Sequence, residues 1–109
     1  MKHHPSDEKL VRDLIPQIIR ERGAIPGAYI ANPEEYRGRP RYKFVEEVTE
    51  VLAAQEGDDA LTELADVLEV MHALAADLGS DMAEVETIRV AQAQERGGFA
   101  DRGILRGTR

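Results

Sequence analysis

Between Leu61 and Leu78 the apolar residues recur at the spacing of an α-helix, and acids break the pattern from within. At about 100° per residue, with Glu63 at zero, nine apolar residues (Leu61, Leu64, Val67, Leu68, Val70, Met71, Leu74, Ala75 and Leu78) fill an arc from roughly 340° to 160°. Asp58, Asp59, Thr62, Glu69 and Asp77 take the polar side. Glu63 lies inside the apolar arc, and Asp66 lies at its edge one turn on. A helix with such an arc must bury it against a partner element, and this one carries a carboxylate into that contact.

The segment before it repeats the arrangement. A helix is predicted from Pro40, which a first turn tolerates, to about Gln55. With Glu47 at zero, Phe44, Val45, Val48, Val51 and Leu52 fill roughly 40° to 160°. Glu47 borders that stripe, and Glu50 follows at i+3 on the same side. Gly57-Asp58-Asp59 reads as the turn, with Asp58 or Asp59 as cap of the next helix. So short a connection makes the two helices antiparallel neighbours.

Two more helices flank this pair. Leu10 to Arg22 carries a helical repeat, with Pro16 inside it as a kink or as the mark of a start near Asp13, and Gly23 as the stop. Ser80 opens a last helix that reaches about Arg96 and ends at Gly97-Gly98. Residues 23–39 read as irregular. Ala28–Ala31 and Gly103–Arg106 are two short runs that can pair as a small two-stranded ribbon. The expected fold is all-α: an antiparallel bundle of about four helices, one domain over residues 9–109 after a flexible stretch 1–8.

Composition supports this. Hydrophobic residues make up 42% and aromatics only 5%, with Ala, Leu and Val prominent, which favours packed helices over a β-sandwich. A chain of 109 residues has a modest core, so assembly with further copies is expected to complete it. The absence of cysteine excludes disulfides, zinc–thiolate sites and cysteine nucleophiles. No apolar run approaches the roughly 18 residues of a membrane span. The start, MKHHPSDEK, lacks the apolar core of a signal peptide, and a soluble cytoplasmic protein is expected. His3 and His4 at such a terminus read as incidental rather than as ligands. The net charge of −7 argues against duplex nucleic acid as a partner. It does not argue against phosphate ligands if divalent cations lie between them and the acids.

The acids at the core face can be neutralised only by protonation or by binding cations. An ionised carboxylate in a core is costly unless it is paired or holds a metal. Lys43 is the nearest basic residue, one turn before Glu47. Hard oxygen ligands without cysteine point to Mg²⁺, with Mn²⁺ as the alternative, as one ion or two bridged ions. The ordinary reading of an acidic run, a solvated face with i, i+4 salt bridges, suits Glu46, which sits further from the stripe. It suits the other four less well, because two acidic pairs fall beside apolar arcs on consecutive helices.

These residues carry a family resemblance. Glu46-Glu47-Val48-Thr49-Glu50, followed after twelve residues by Glu63-Leu64-Ala65-Asp66, resembles the EExxE…ExxD signature of the all-α NTP pyrophosphohydrolases. That superfamily includes MazG, the dimeric dUTPases and phosphoribosyl-ATP pyrophosphohydrolase. Lys9–Pro16 (KLVRDLIP) is similar to the KLVRDKIP opening of a MazG-like subfamily, and Glu95–Phe99 to its closing ERGGF. The resemblance covers about residues 9–106. It implies Mg²⁺-dependent hydrolysis of a nucleoside triphosphate between its α and β phosphates. Glu47, Glu50, Glu63 and Asp66 match the metal positions. Divalent ions there would neutralise the triphosphate and activate water for in-line attack. Glu46, left free, is a candidate proton acceptor beside Glu47. Family members form helical dimers or tetramers, so a homodimer or homotetramer is implied.

Lys9, Arg12 and Arg96 in the flanking motifs, with Lys43, are candidate phosphate contacts. Arg12 could equally pair with an acid at the core edge, and Arg96 could serve the end of its helix. Gln92 stands where relatives often carry lysine, Asp77 is a possible extension of the acidic line, and residues 34–40 interrupt a lead that is commonly continuous. Two other functions compete. Glu69-Val70-Met71-His72 is an ExxH of the di-iron kind, but such sites need two and Glu69 points away from Glu63. A non-catalytic helical module for nucleotide binding or oligomerisation is the stronger alternative, though all four metal positions are filled.

Overall fold

A computed structural model of the chain describes residues 8–54 and 58–108. They form four helices and one additional helical turn: α1 (Ile15–Glu21), α2 (Pro33–Tyr36), α3 (Arg39–Ala53), α4 (Asp58–Asp77) and α5 (Met82–Arg96). The all-α bundle expected from periodicity is the observed architecture. No strand occurs among the described residues, so Ala28–Ala31 and Gly103–Arg106 run as irregular chain. His3, His4 and the turn residue Gly57 lie outside the described residues.

Local chemistry sets the boundaries. α1 is shorter than its periodicity, because a helix cannot run through Pro16. The ring has no N–H to donate and collides with the carbonyl four residues back. The helix instead starts at Ile15 with Pro16 in its first turn, and the Ile15 N–H bonds the Arg12 carbonyl at 3.0 Å. Residues 23–39 are not wholly irregular. The Asn32 side chain accepts from the Glu35 N–H at 2.8 Å and caps the turn α2, with Pro33 first and Glu34 and Glu35 after it. α4 begins at Asp58, with Asp59 in its first turn, where the helix dipole favours an acid.

α1 and α4 end in the same way. Gly23 and Gly79 take φ of +87° and +81°. Around them Ala24 N–H reaches the Ile19 carbonyl (3.2 Å) and Ser80 N–H the Ala75 carbonyl (2.9 Å), the Schellman pattern that a left-handed glycine permits. α5 is capped by Asp81 rather than Ser80. The Asp81 carboxylate accepts from the Glu84 N–H at 2.8 Å, while the Ser80 hydroxyl donates to the Glu84 carboxylate at 2.6 Å. Asp81→Ala is expected to lower stability by about 1 kcal/mol in chemical denaturation, with no change in helix arrangement. A change within error would mean that Ser80 and Glu84 suffice to open α5.

α3 and α4 form the main packed pair, and α5 meets α4 only lightly. The pairing is rotated from what the wheels alone imply. The better-buried residues of α4 include Glu63, Asp66, Val67, Val70, Met71, Leu74 and Ala75, a face centred near Glu63 itself. On α3 they include Pro40, Lys43, Phe44, Glu47, Val48 and Val51, a face centred near Glu47. The far edges of both apolar arcs are left outside: Val45 and Leu52 on α3, Leu61, Leu64 and Leu68 on α4. Because the helices are antiparallel, these two edges fall on the same side of the pair.

The resulting core is thin. Among the described residues only Pro40, Glu47 and Ala75 are buried. The chain exposes 9946 Å², about 4,000 Å² more than a compact monomer of 12.1 kDa. Its radius of gyration is 18.2 Å, against about 13 Å for a compact domain of this length. No described helix is long and apolar enough to cross a membrane.

Candidate metal centre

The rotation of the helix pair decides what lies at its centre. Since the faces that meet are centred on Glu47 and Glu63, the carboxylates converge between α3 and α4. Oxygens of Glu47, Glu63 and Asp66 lie within 4.8 Å of one another. Oxygens of Glu46, Glu47 and Glu50 form a second group at the same separation. Glu47 belongs to both, so it joins the α3 acids to the α4 acids. The i, i+3 spacing produces each half, and the packing of α3 against α4 brings the halves together.

Burial is uneven across the set. Glu47 is 8% exposed, Glu46, Glu63 and Asp66 are half-buried, and Glu50 is open to solvent. Glu47 Oε2 and Glu63 Oε2 are buried and find no hydrogen-bond partner. Buried carboxylate oxygens ordinarily accept hydrogen bonds or bind cations, and each orphaned one costs about 1–3 kcal/mol. Burial pushes the Glu47 carboxyl above its ordinary value of 4.5, and the Glu50 charge pushes it further, while Lys43 pulls it down.

The sign of that shift gives a pH dependence for the metal-free protein. A carboxyl whose value rises on folding binds its proton more tightly when folded. Its favourable contribution is complete below 4.5 and is lost as pH rises through the raised folded value. Without divalent ions, the stability gain from Glu47→Gln should therefore be small at pH 4 and grow toward neutrality, read as the difference in Tm. A gain of equal size at every pH contradicts the burial argument.

Three cations border the acids, unequally. Lys43 sits 3.5 Å from both Glu46 and Glu47, and Lys9 sits 3.5 Å from Glu46. Arg12 donates from Nη2 to Asp66 Oδ1 at 2.8 Å, across 54 residues of sequence. Thus Asp66 is paired with arginine and Glu46 with two lysines, whereas Glu63 has no cation partner among the described residues. Arg96, at the end of α5, is exposed and does not line the cleft beside the acids. That cleft encloses about 510 Å³, lined by Arg12, Lys43, Glu47 and Asp66 together with Leu10, Ile15, Ile18 and Val70. It falls in the range of small-molecule sites.

The donor set fits a hard divalent cation. It is all oxygen, and it includes two orphaned buried atoms. Asp77 does not join it; its carboxylate accepts from the Gly38 N–H at 3.4 Å, where α3 begins. Glu69 and His72 are exposed and belong to neither acidic group.

One polar cluster was not visible in the sequence. Arg39 lies 3.6 Å from Glu8 and 3.8 Å from Glu35, and the Tyr29 hydroxyl donates to Glu35 and lies 3.5 Å from the Glu8 carboxylate. Its members stand up to 31 residues apart in irregular chain, where no periodicity links them. It holds residue 8 against α2 and α3. Comparison of the chain with protein-family models, with curated proteins and with solved structures finds no match in any of the three.

Proposed function

We propose that the chain is a Mg²⁺-dependent nucleotide pyrophosphohydrolase that cleaves between the α and β phosphates of a nucleoside triphosphate. One observation carries the reading: a 92% buried carboxylate with an orphaned oxygen stands at the junction of two acidic groups beside a cleft of nucleotide-binding size. The EExxE…ExxD pattern supplies the reaction class by resemblance. Glu47, Glu50, Glu63 and Asp66 would hold the cation, with Mn²⁺ as a substitute. The bound ion would supply charge neutralisation of the phosphates and activation of water.

The chain's own groups do the rest. Lys9, Arg12 and Lys43 border the acids and offer charge-assisted donors to phosphate oxygens. Arg96 stands apart in the single chain, and its contact with substrate requires a neighbouring copy. Glu46 is the carboxylate left to take the proton of the attacking water. Leu10, Ile15, Ile18 and Val70 form an apolar wall against which a base can lie. House-cleaning of noncanonical nucleotides in the cytoplasm is the role that fits the family resemblance.

The same reading includes assembly. Val45, Leu52, Leu61, Leu64 and Leu68 form an exposed apolar side opposite the acidic one. A homodimer or homotetramer built on that side would complete the core. Chromatography of the reaction products tests the chemistry. Monophosphate and pyrophosphate are expected, whereas diphosphate and orthophosphate would contradict cleavage between α and β. A non-catalytic nucleotide-binding module remains the alternative, and binding without any product would favour it.

A further inference from the structure

Arg12 holds an unusual position for a phosphate contact. It donates to Asp66 at 2.8 Å, and Asp66 is one of the three acids that converge on the orphaned oxygens of Glu47 and Glu63. The guanidinium on Asp66 Oδ1 draws on the charge that a divalent ion would use, so the two compete for that carboxylate. Arg12 is also tethered. Its carbonyl accepts from the Ile15 N–H at the start of α1. Four residues earlier, Glu8 is held by Arg39, both through its carboxylate at 3.6 Å and through its backbone carbonyl at 3.3 Å. The chain is therefore held at Glu8 and at Arg12, while the Arg12 side chain is 58% exposed.

We propose that Arg12 is an internal counter-ion: it occupies Asp66 in the metal-free protein, yields it to a divalent cation, and stays tethered at the cleft, where the released guanidinium meets phosphate. The inference rests on the metal reading of the four acids. Its physical basis is charge. Without the cation, Arg12 and Lys43 offset the repulsion of the converging acids. With the cation bound, a guanidinium beside it is repelled, and the nearest new anion is the substrate. The tether keeps the swing within the side chain, so that no refolding of the segment is needed. One arginine thus stabilises the metal-free site and serves the loaded one.

Competition predicts a direction that a simple structural role does not. Titration calorimetry with Mn²⁺ alone, on the full chain, should show Arg12→Gln binding the ion about three- to tenfold tighter than the parent protein, the range set by releasing one partly exposed pair near a divalent charge. Arg20→Gln makes the same change in net charge on an exposed turn of α1 and should leave the affinity unchanged. Arg12→Lys keeps the charge and should return most of the way to the parent value. Tightening that is equal in the Arg12→Gln and Arg20→Gln proteins overturns the proposal, since net charge would then explain it. Unchanged or weaker Mn²⁺ binding in Arg12→Gln also overturns it. In both cases the parent protein still binds Mn²⁺, Glu47→Gln loses it, and the metal reading stands. No saturable Mn²⁺ binding in the parent protein removes the metal reading and this proposal together.

Discussion

Glu47→Gln is expected to abolish metal-dependent turnover while making the metal-free protein more stable. Glutamine keeps the length and shape of the side chain, so the helix pair should stay intact by circular dichroism. It removes the negative charge from the residue that belongs to both acidic groups. Loss of a metal ligand at that junction should reduce kcat/KM at least about a hundredfold. The same change removes a buried ionised group with an orphaned oxygen. Relief of that desolvation is worth about 1 kcal/mol, or several degrees in Tm for a chain of this size. The paired outcome is diagnostic, because a residue that merely holds the fold loses stability and activity together. If Glu47→Gln retains full activity, the ligand assignment is wrong. Asp66→Asn should share the loss of activity, but its gain in stability should be smaller, because it leaves Arg12 without its carboxylate partner.

The second large effect concerns assembly. If the proposed assembly uses the apolar side, replacing both Leu64 and Leu68 with glutamate should give monomers in sedimentation at micromolar concentration. The two side chains are 51% and 50% exposed in the single chain. In a monomer such exposed substitutions are nearly neutral, within about 0.5 kcal/mol. Within an apolar interface they bury uncompensated charge at a cost of several kcal/mol. A protein that sediments as a monomer before and after the change would show that the apolar side is open to solvent. The core described here would then be complete as it stands.

The helices themselves were legible because their signal is periodic. Glu63 and Glu47 stood out for the same reason, as charges where the repeat calls for apolar side chains. What the wheels did not carry was the rotation of α3 against α4. An arc as wide as 340° to 160° does not say which part meets the neighbour. The structure turns the carboxylate edge inward and leaves Leu61, Leu64 and Leu68 outside, so Asp66 sits deeper than its place at the arc's edge implied. The turn at α2 had a local signal, Asn32-Pro33-Glu34-Glu35, which is a cap, a first-turn proline and two first-turn acids. It was obscured by the glycines and prolines around it.

Contacts between distant segments left no trace in the sequence. Arg12 with Asp66 and Arg39 with Glu8 span 54 and 31 residues, and nothing in either local pattern names its partner. Both readings of Arg12, as an acid's partner and as a phosphate contact, were open at the outset. Geometry places it on Asp66 and beside the cleft at once. The resemblance to pyrophosphohydrolases rests on the acids and the two flanking motifs. The geometry adds two buried carboxylate oxygens without a hydrogen-bond partner, which the motif alone does not provide.

The proposed role of these acids, holding a cation to hydrolyse a nucleotide, has a direct consequence in product release. The most direct measurement is pyrophosphate release from a panel of ordinary and modified nucleoside triphosphates, with Mg²⁺ and with EDTA. Release from at least one member that requires Mg²⁺, stops with EDTA and disappears in Glu47→Gln is the predicted result. Absence of metal-dependent release from every member, by protein shown to be folded and to bind Mn²⁺, would contradict it.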